Sequence, residues 1–250
     1  MEPASNQNQT RQLDTINQDF EQATPQEIIK WAANQFGTGL AMTSSFGAQS
    51  AVLLHLATSI LPDIPIIVLD TGYFFPETYR FIQQLQKQLK LNLKIFNPQI
   101  TAARQEALYG QLWNQGVQGM TQYHQLNKIE PMQRALKTLN ITAWMAGLRR
   151  QQTQHRAQLP HIINQNKICK IHPILKWNTK QINQYLSKHN LPYHPLVEQG
   201  YLSIGDTHST SPITPGMDER DGRFKGLKQE CGLHIPHSHA EKESRDSSAL

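Results

Sequence analysis

The chain has 250 residues, a formal net charge of +5 and 17% charged side chains, which allows one large domain or two small ones around a buried core. Two cysteines cannot build a disulfide framework, no apolar run approaches a membrane span, and the polar start Met1 to Thr10 has no secretory pattern. A reducing, cytoplasmic setting is expected, and the scattered cations without a basic run point to a small phosphorylated ligand, with no membrane and no nucleic acid polymer as partner.

In chain order, residues 1–23 read as a mobile or helical extension. Thr24-Pro25-Gln26-Glu27 supplies an N-cap, a proline at the first helical position and an acid at the third, which starts a helix through Ile28, Ile29 and Trp31. Gly39 to Thr43 predicts a short buried strand, Gln49 to Ile60 a helix, and Pro65 to Asp70 an apolar strand ending in an acid. Pro76-Glu77-Thr78 opens another helix with Tyr79, Ile82, Leu85 and Leu89 on its apolar face, and Leu91 to Phe96 alternates as a strand does. A helix around Pro131 to Leu139, a strand at Ala143 to Gly147 and a helix from Thr179 to Lys188 continue the series. This order predicts an α/β fold, a mostly parallel twisted sheet with helices on both faces. The nucleotide-binding part spans residues 24–210. Residues 211–250 form a loop-rich, flexible C-terminal arm whose last dozen residues are disordered.

Ligands of such sheets collect beyond the carboxyl ends of the strands, where helix N-termini attract anions. Ser44, Ser45, Phe46 and Gly47 lie at one such junction and make a phosphate cradle, although serine and glycine before a helix are more often a simple cap. Asp70 and Thr71 end the next strand and suit a ribose or an adenine edge, or a plain turn. Arg149 and Arg150, followed by Arg156, put three guanidinium forks after a third strand, where they match phosphate or sulfate oxygens or else form a solvated basic loop. Lys128, Arg220 and Arg223 are further anion ligands. Eleven histidines invite a metal, but the tail His234-Ile235-Pro236-His237-Ser238-His239 matches no structural zinc spacing, so no metal is expected. His124, His172, His189 and His194 read as surface or hydrogen-bonded residues, and Trp113, Trp144 and Trp177 as core.

Lys228-Gln229-Glu230-Cys231-Gly232-Leu233-His234 places a thiol among cations. A thiol reacts as its thiolate, and Arg223, Lys225, Lys228 and a protonated His234 all lower its pKa, while the plain alternative is a surface cysteine in a basic tail. Cys169, in the alternating Ile168-Cys169-Lys170-Ile171, reads as a buried and inert thiol.

Taken together, Ser44 to Gly47, Leu69-Asp70-Thr71-Gly72-Tyr73 with Phe74 to Thr78, Asn127 to Pro131, Gly147 to Arg150 and Glu230 to His234 occur in the order seen in assimilatory sulfonucleotide reductases. The chain resembles the 3′-phosphoadenylyl sulfate (PAPS) reductases from about Thr24 to His234, within the adenine nucleotide alpha hydrolase-like group. Cluster-bearing members of this family place cysteines where this chain has Tyr123-His124 and Asp206-Thr207-His208-Ser209. Four thiolates are required and two cysteines are present in all, so no iron–sulfur cluster is expected. The resemblance implies attack of the Cys231 thiolate on the sulfate sulfur of PAPS, with His234 assisting and the cations listed above offsetting the charge. It also implies thioredoxin, or glutaredoxin, as electron donor, and a homodimer. A cluster-free adenylyl-sulfate reductase and an ATP pyrophosphatase-type adenylyltransferase are the rival readings. The second departs from Ser44 to Gln49, which lack the Ser-Gly-Gly-x-Asp-Ser pattern.

Overall fold

The computed structural model describes residues 4–165, 168–214, 216–224 and 233. Among them six strands form one sheet in the order β3-β2-β1-β4-β6-β5. The strands are β1 (Leu40–Thr43), β2 (Pro65–Leu69), β3 (Asn92–Phe96), β4 (Ala143–Met145), β5 (Ile162–Gln165) and β6 (Ile168–Ile171). All neighbours pair in parallel except β5, which returns antiparallel to β6 as a hairpin at the edge.

Alternation along the strands sorts the core into two layers. Leu40, Met42, Ile66, Val68, Ala143 and Met145 face one side of the sheet, and Ala41, Ile67 and Trp144 face the other. Helices α2 (Pro25–Phe36), α3 (Ala51–Ile60), α4 (Pro76–Leu89) and α9 (Thr179–Lys188) contribute to the first layer, and α7 (Glu130–Thr138) covers the second. Helix α3 is apolar nearly all round and buried from Ala51 to Thr58 except at half-buried His55, as a helix enclosed by its neighbours must be.

Local chemistry explains where the helices begin. The Thr24 hydroxyl accepts from the Glu27 amide at 3.3 Å while the Glu27 carboxylate accepts from the Thr24 amide at 2.7 Å, closing a capping box with Pro25 at the first position. Asn178 and Gln181 make the same reciprocal pair at the start of α9.

Residues 1–23 contain α1 (Ala4–Phe20), and Leu13, Ile16 and Phe20 pack on the first core layer. Asn17 also bonds the backbone of Ile162 in β5 in both directions, at 2.9 and 3.0 Å. The sequence showed neither β5 nor three helices, α5 (Ala102–Tyr109), α6 (Gly116–His124) and the short α8 (Gln154–Ala157). Of the histidines expected to be surface or hydrogen-bonded, His124, His172 and His194 are buried, at 3%, 0% and 0% exposed, and His172 is bonded to the Pro160 carbonyl and His194 to Thr78. Among the described residues no helix is long and apolar enough to cross a membrane.

Candidate active site

The strand order reverses between β1 and β4, and a cavity of about 250 Å³ opens at the carboxyl ends of these two strands. Its floor is made by Ser44, Ser45 and Gly47 after β1, by Thr71 after β2 and by Gly147 to Arg149 after β4; residues 202–206 and 219–224 close the opposite side.

The loop after β1 turns sharply at Phe46, whose φ of 49° is a left-handed value that bulky residues avoid. Two contacts hold it there. The phenyl ring is fully buried in the first core layer, and the Phe46 amide donates to the Ser44 hydroxyl at 3.1 Å. The side chain of Phe46 therefore anchors the loop and does not line the cavity, whereas Ser44, Ser45 and Gly47 do.

Arg149 and Arg150 part company. Arg149 has extended backbone (φ −129°, ψ 138°) and the next residue begins a tight turn, so successive side chains diverge. Arg149 enters the cavity almost fully buried, donating to Gln49 at 2.8 Å and to both carboxylate oxygens of Glu219 at 3.1 and 3.2 Å. Burial pulls its pKa down from the ordinary value and the Glu219 charge opposes this; a guanidinium stays protonated throughout. Arg150 turns outward instead, to the Glu21 carboxylate beyond α1 and the Leu159 carbonyl. The structure does not bring it to the cavity. Asp70 also stays outside, with one carboxylate oxygen accepting from the Gly72 amide at 2.9 Å and the Tyr79 hydroxyl at 2.8 Å.

Lys128 reaches the cavity from a single turn of π-helix, Gln125–Ile129, between α6 and α7. Its ammonium lies 2.7 Å from the Asp206 carboxylate, which is wholly buried and also accepts from the Thr71 hydroxyl at 2.6 Å. Burial alone would raise the Asp206 pKa; the Lys128 ammonium and the Thr71 hydroxyl outweigh it and hold the carboxyl below the ordinary range. Thr71 thus supports Asp206 rather than presenting a free hydroxyl.

Arg156, Arg220 and Arg223 complete the lining. Arg156 donates to Gln152, Arg220 reaches Ser203 at 3.5 Å, and the Arg223 guanidinium lies 4.8 Å from the Phe224 ring centre. Gly205 makes room for that guanidinium, since a Cβ there would overlap it. In all, five cationic side chains face two carboxylates among the described lining residues, so the cavity suits a ligand with several negative charges. Gln49, Gln152 and Glu219 escaped the sequence reading because polar residues in loops carry no local signal of their direction. Cys231 and His234 lie outside the described residues.

The positions where a cluster-bearing relative would carry cysteines hold buried Tyr123, His124, Asp206 and Ser209. Beside them the His208 ring stacks on Trp113 at 4.0 Å and 8°, and burial pushes the His208 pKa down to about 4. An aromatic and histidine cluster therefore lies behind Asp206, and the Trp113, Tyr123 and His208 rings do not line the cavity. Among the described residues no group of three or more His, Cys, Asp or Glu is arranged to hold a metal ion.

A doubly wound sheet with a cationic cavity at its switch point defines an α/β nucleotide-binding protein. A solved structure of Candida glabrata FMN adenylyltransferase shares this fold at 17% identity, with a TM-score of 0.59 over 92% of this chain and 81% of that one. The finer assignment comes from sequence. Residues 39–212 match the phosphoadenosine phosphosulfate reductase domain, and the chain belongs to that family. It is 54% identical to a Synechocystis phosphoadenosine 5′-phosphosulfate reductase over 240 residues, 95% of this chain and 96% of that one. It is 52% identical to the Vibrio cholerae protein of that name over 92% and 91% of the two chains. The crystal structure of the Candida auris PAPS reductase in a phosphate complex matches with a TM-score of 0.70 and 31% identity, over 80% of this chain and 96% of that one.

Proposed function

We infer that this protein is a reductase that converts 3′-phosphoadenylyl sulfate to sulfite and adenosine 3′,5′-bisphosphate in sulfate assimilation. The observation that carries the reading is a match to reductases of this name over nearly the whole chain, joined to a cationic cavity at the switch point. The Cys231 thiolate attacks the sulfate sulfur, an S–S bond forms, and the bond from sulfur to the 5′-phosphate oxygen breaks. Adenosine 3′,5′-bisphosphate leaves with that electron pair. An anion attacking a sulfate needs cations around it, and Lys128, Arg149, Arg156, Arg220 and Arg223 supply them, with His234 as a further donor from the arm.

The cysteine S-sulfonate is resolved by thioredoxin, or glutaredoxin. One thiolate of the dithiol attacks the Cys231 sulfur and expels sulfite with two electrons; the second thiol closes the donor's disulfide and returns Cys231 to its thiolate. No bound cofactor enters this sequence, and a free thiolate with an external dithiol belongs in a reducing cytoplasm. A homodimer is part of the same proposal. Ser44, Ser45 and Gly47 cradle phosphate at the start of the helix after β1, and the bulk of the Arg149 and Arg156 charge meets the 3′-phosphate. Arg150 and Asp70 are left out of the set because their side chains are committed elsewhere.

Sulfite released from PAPS by the purified protein and thioredoxin tests the reading. Wild type and Cys169→Ser should both release it, and Cys231→Ser should release none while still binding adenosine 3′,5′-bisphosphate. Full activity in Cys231→Ser would overturn the mechanism.

A further inference from the structure

We propose that Gln105 and Asn127 are positioning residues for Lys128: their paired amides hold the wide helical turn that aims its ammonium into the cavity. The proposal rests on the reading above and adds what sets the direction of one of its cations. From Gly116 to Thr138 the chain is one run of helix, α6 and α7 joined by the turn Gln125–Ile129, where the Glu130 amide donates to the Gln125 carbonyl five residues back. An α-helix closes that bond over four residues, and one residue is a rotation of roughly 100° about the axis. Relaxing the turn to α geometry, with α6 and α7 packed where they are, would therefore turn Lys128 away from Asp206. Pro131 gives the turn a reason: it has no amide for the Asn127 carbonyl four residues earlier, and its ring crowds that carbonyl. Turns of this kind recur at functional sites.

Buried side chains fix how the turn opens. Asn127 is 0% exposed; it donates to the Tyr123 carbonyl at 3.0 Å and to the Gln105 side-chain oxygen at 2.8 Å, and accepts from the Gln105 side-chain nitrogen at 2.9 Å. Gln105, 2% exposed, also donates to the Ile100 carbonyl at 3.2 Å. Breaking this pair leaves amide groups buried and unpaired, a cost that an exposed pair would not carry. Gln105 is placed in turn by α5, which Thr101 caps and which the Tyr73 hydroxyl holds on either side of it, 3.2 Å from the Ala102 carbonyl and 3.0 Å from the Glu106 carboxylate. Tyr73 belongs to the loop after β2, the same loop whose Thr71 bonds Asp206. The backbone of Lys128 and its carboxylate partner are thus referred to one loop. Neither Gln105 nor Asn127 lines the cavity, so their effect on the reaction passes through Lys128.

The test reads the single-turnover rate at which PAPS forms the Cys231 S-sulfonate. Asn127→Leu, which removes the amide at similar size, should slow it about tenfold, the factor for losing a charge-assisted contact from Lys128. Gln105→Met should slow it less, because Asn127 keeps its bond to the Tyr123 carbonyl. Lost stability slows a reaction too, so the double variant Gln105→Met/Asn127→Leu, in which neither amide faces an apolar partner, separates the two effects. It should unfold in urea no earlier than Asn127→Leu and yet remain as slow. A rate that recovers with stability would overturn the positioning role. Where Lys128→Met and Asp206→Asn together make the charge pair neutral, adding Asn127→Leu should cost at most about twofold, since its effect passes through the lysine. The full tenfold cost in that background would overturn the proposal, as would a wild-type rate in Asn127→Leu alone. If the neutral background itself forms the S-sulfonate at the wild-type rate, or wild type forms none, the reading beneath the proposal fails and the positioning role falls with it.

Discussion

The two walls of the cavity are held in place by different forces. The wall after β1 and β4 rests on α3 and the sheet, where Leu53, Leu54, Met42 and Phe46 are at most 2% exposed and apolar packing fixes the loops. The facing wall, residues 202–206 and 219–224, has neither strand nor α-helix among its described residues, only isolated bridges from Phe74 to Asp206 and from Thr210 to Arg223. Beside the small apolar contacts of Ile204 and Phe224, its shape depends on two ion pairs, Asp206 with Lys128 and Glu219 with Arg149. A rigid apolar floor can grip the nucleotide, while a wall tied by ion pairs can exchange those ties for substrate anions and move. Glu219 is the clearest case, since its carboxylate is held by the Arg149 guanidinium through both oxygens.

Breaking a tie in each wall should separate the two. Asp206→Asn leaves the Lys128 ammonium without its buried carboxylate and should cost about 3–5 kcal/mol of stability, with loss of nucleotide binding. Leu54→Ala opens a hole under the other wall at a cost of ~2–5 kcal/mol, and the folded fraction should bind nucleotide normally. Urea unfolding beside titration with adenosine 3′,5′-bisphosphate reads both. Equal loss of affinity in the two variants would erase the distinction.

Acid sharpens it. Burial holds the folded-state pKa of His172 at about 3 and, chiefly by burial, that of His194 at about 4. Below the ordinary imidazole value of ~6.5 the unfolded chain takes up protons that the folded chain refuses, so stability falls as pH drops from there toward 4, by up to ~1.4 kcal/mol per pH unit for each histidine. Asp206 is depressed, so its contribution is present above the unfolded carboxylate value and is lost only as pH falls through its lower folded value. Stability against pH, measured by urea unfolding, should therefore decline first through the histidines, with Asp206→Asn removing a further loss seen only at stronger acid. A flat profile between pH 6.5 and 4.5 would contradict this.

The smallest effect compares neighbouring arginines. Arg156→Ala should narrow the preference for PAPS over adenylyl sulfate about tenfold by removing a charge-assisted contact to the 3′-phosphate. Arg150→Ala should leave the ratio of the two kcat/KM values unchanged, because its guanidinium is engaged with Glu21 on the far side. A changed ratio in Arg150→Ala would mean that the strand end is read differently.

The contrast between walls also marks what the sequence could reveal. The helices beginning at Thr24, Pro76 and Asn178 and the strands ending at Thr43 and Leu69 carry their reasons locally, in caps, prolines and apolar periods, and the structure places them within a residue or two of expectation. The hairpin strand β5 and helix α6 lack such signals and owe their form to what they pack on, whereas α5 carries a Thr101 cap on the Arg104 amide that the sequence reading passed over. Residue type identified the cationic set; direction did not follow. Arg149 and Arg150 are identical by chemistry and separate only because one peptide is extended and the next begins a turn. The Lys128 to Asp206 pair joins residues 78 positions apart, which no local pattern discloses.

The central claim is that Cys231 carries the sulfonate, and its most direct test is peptide mass spectrometry of the protein after exposure to PAPS without a reductant. The account predicts one added SO₃ group on the peptide containing Cys231, removed by thioredoxin with release of sulfite. The same mass on the Cys169 peptide, or on neither, would contradict it.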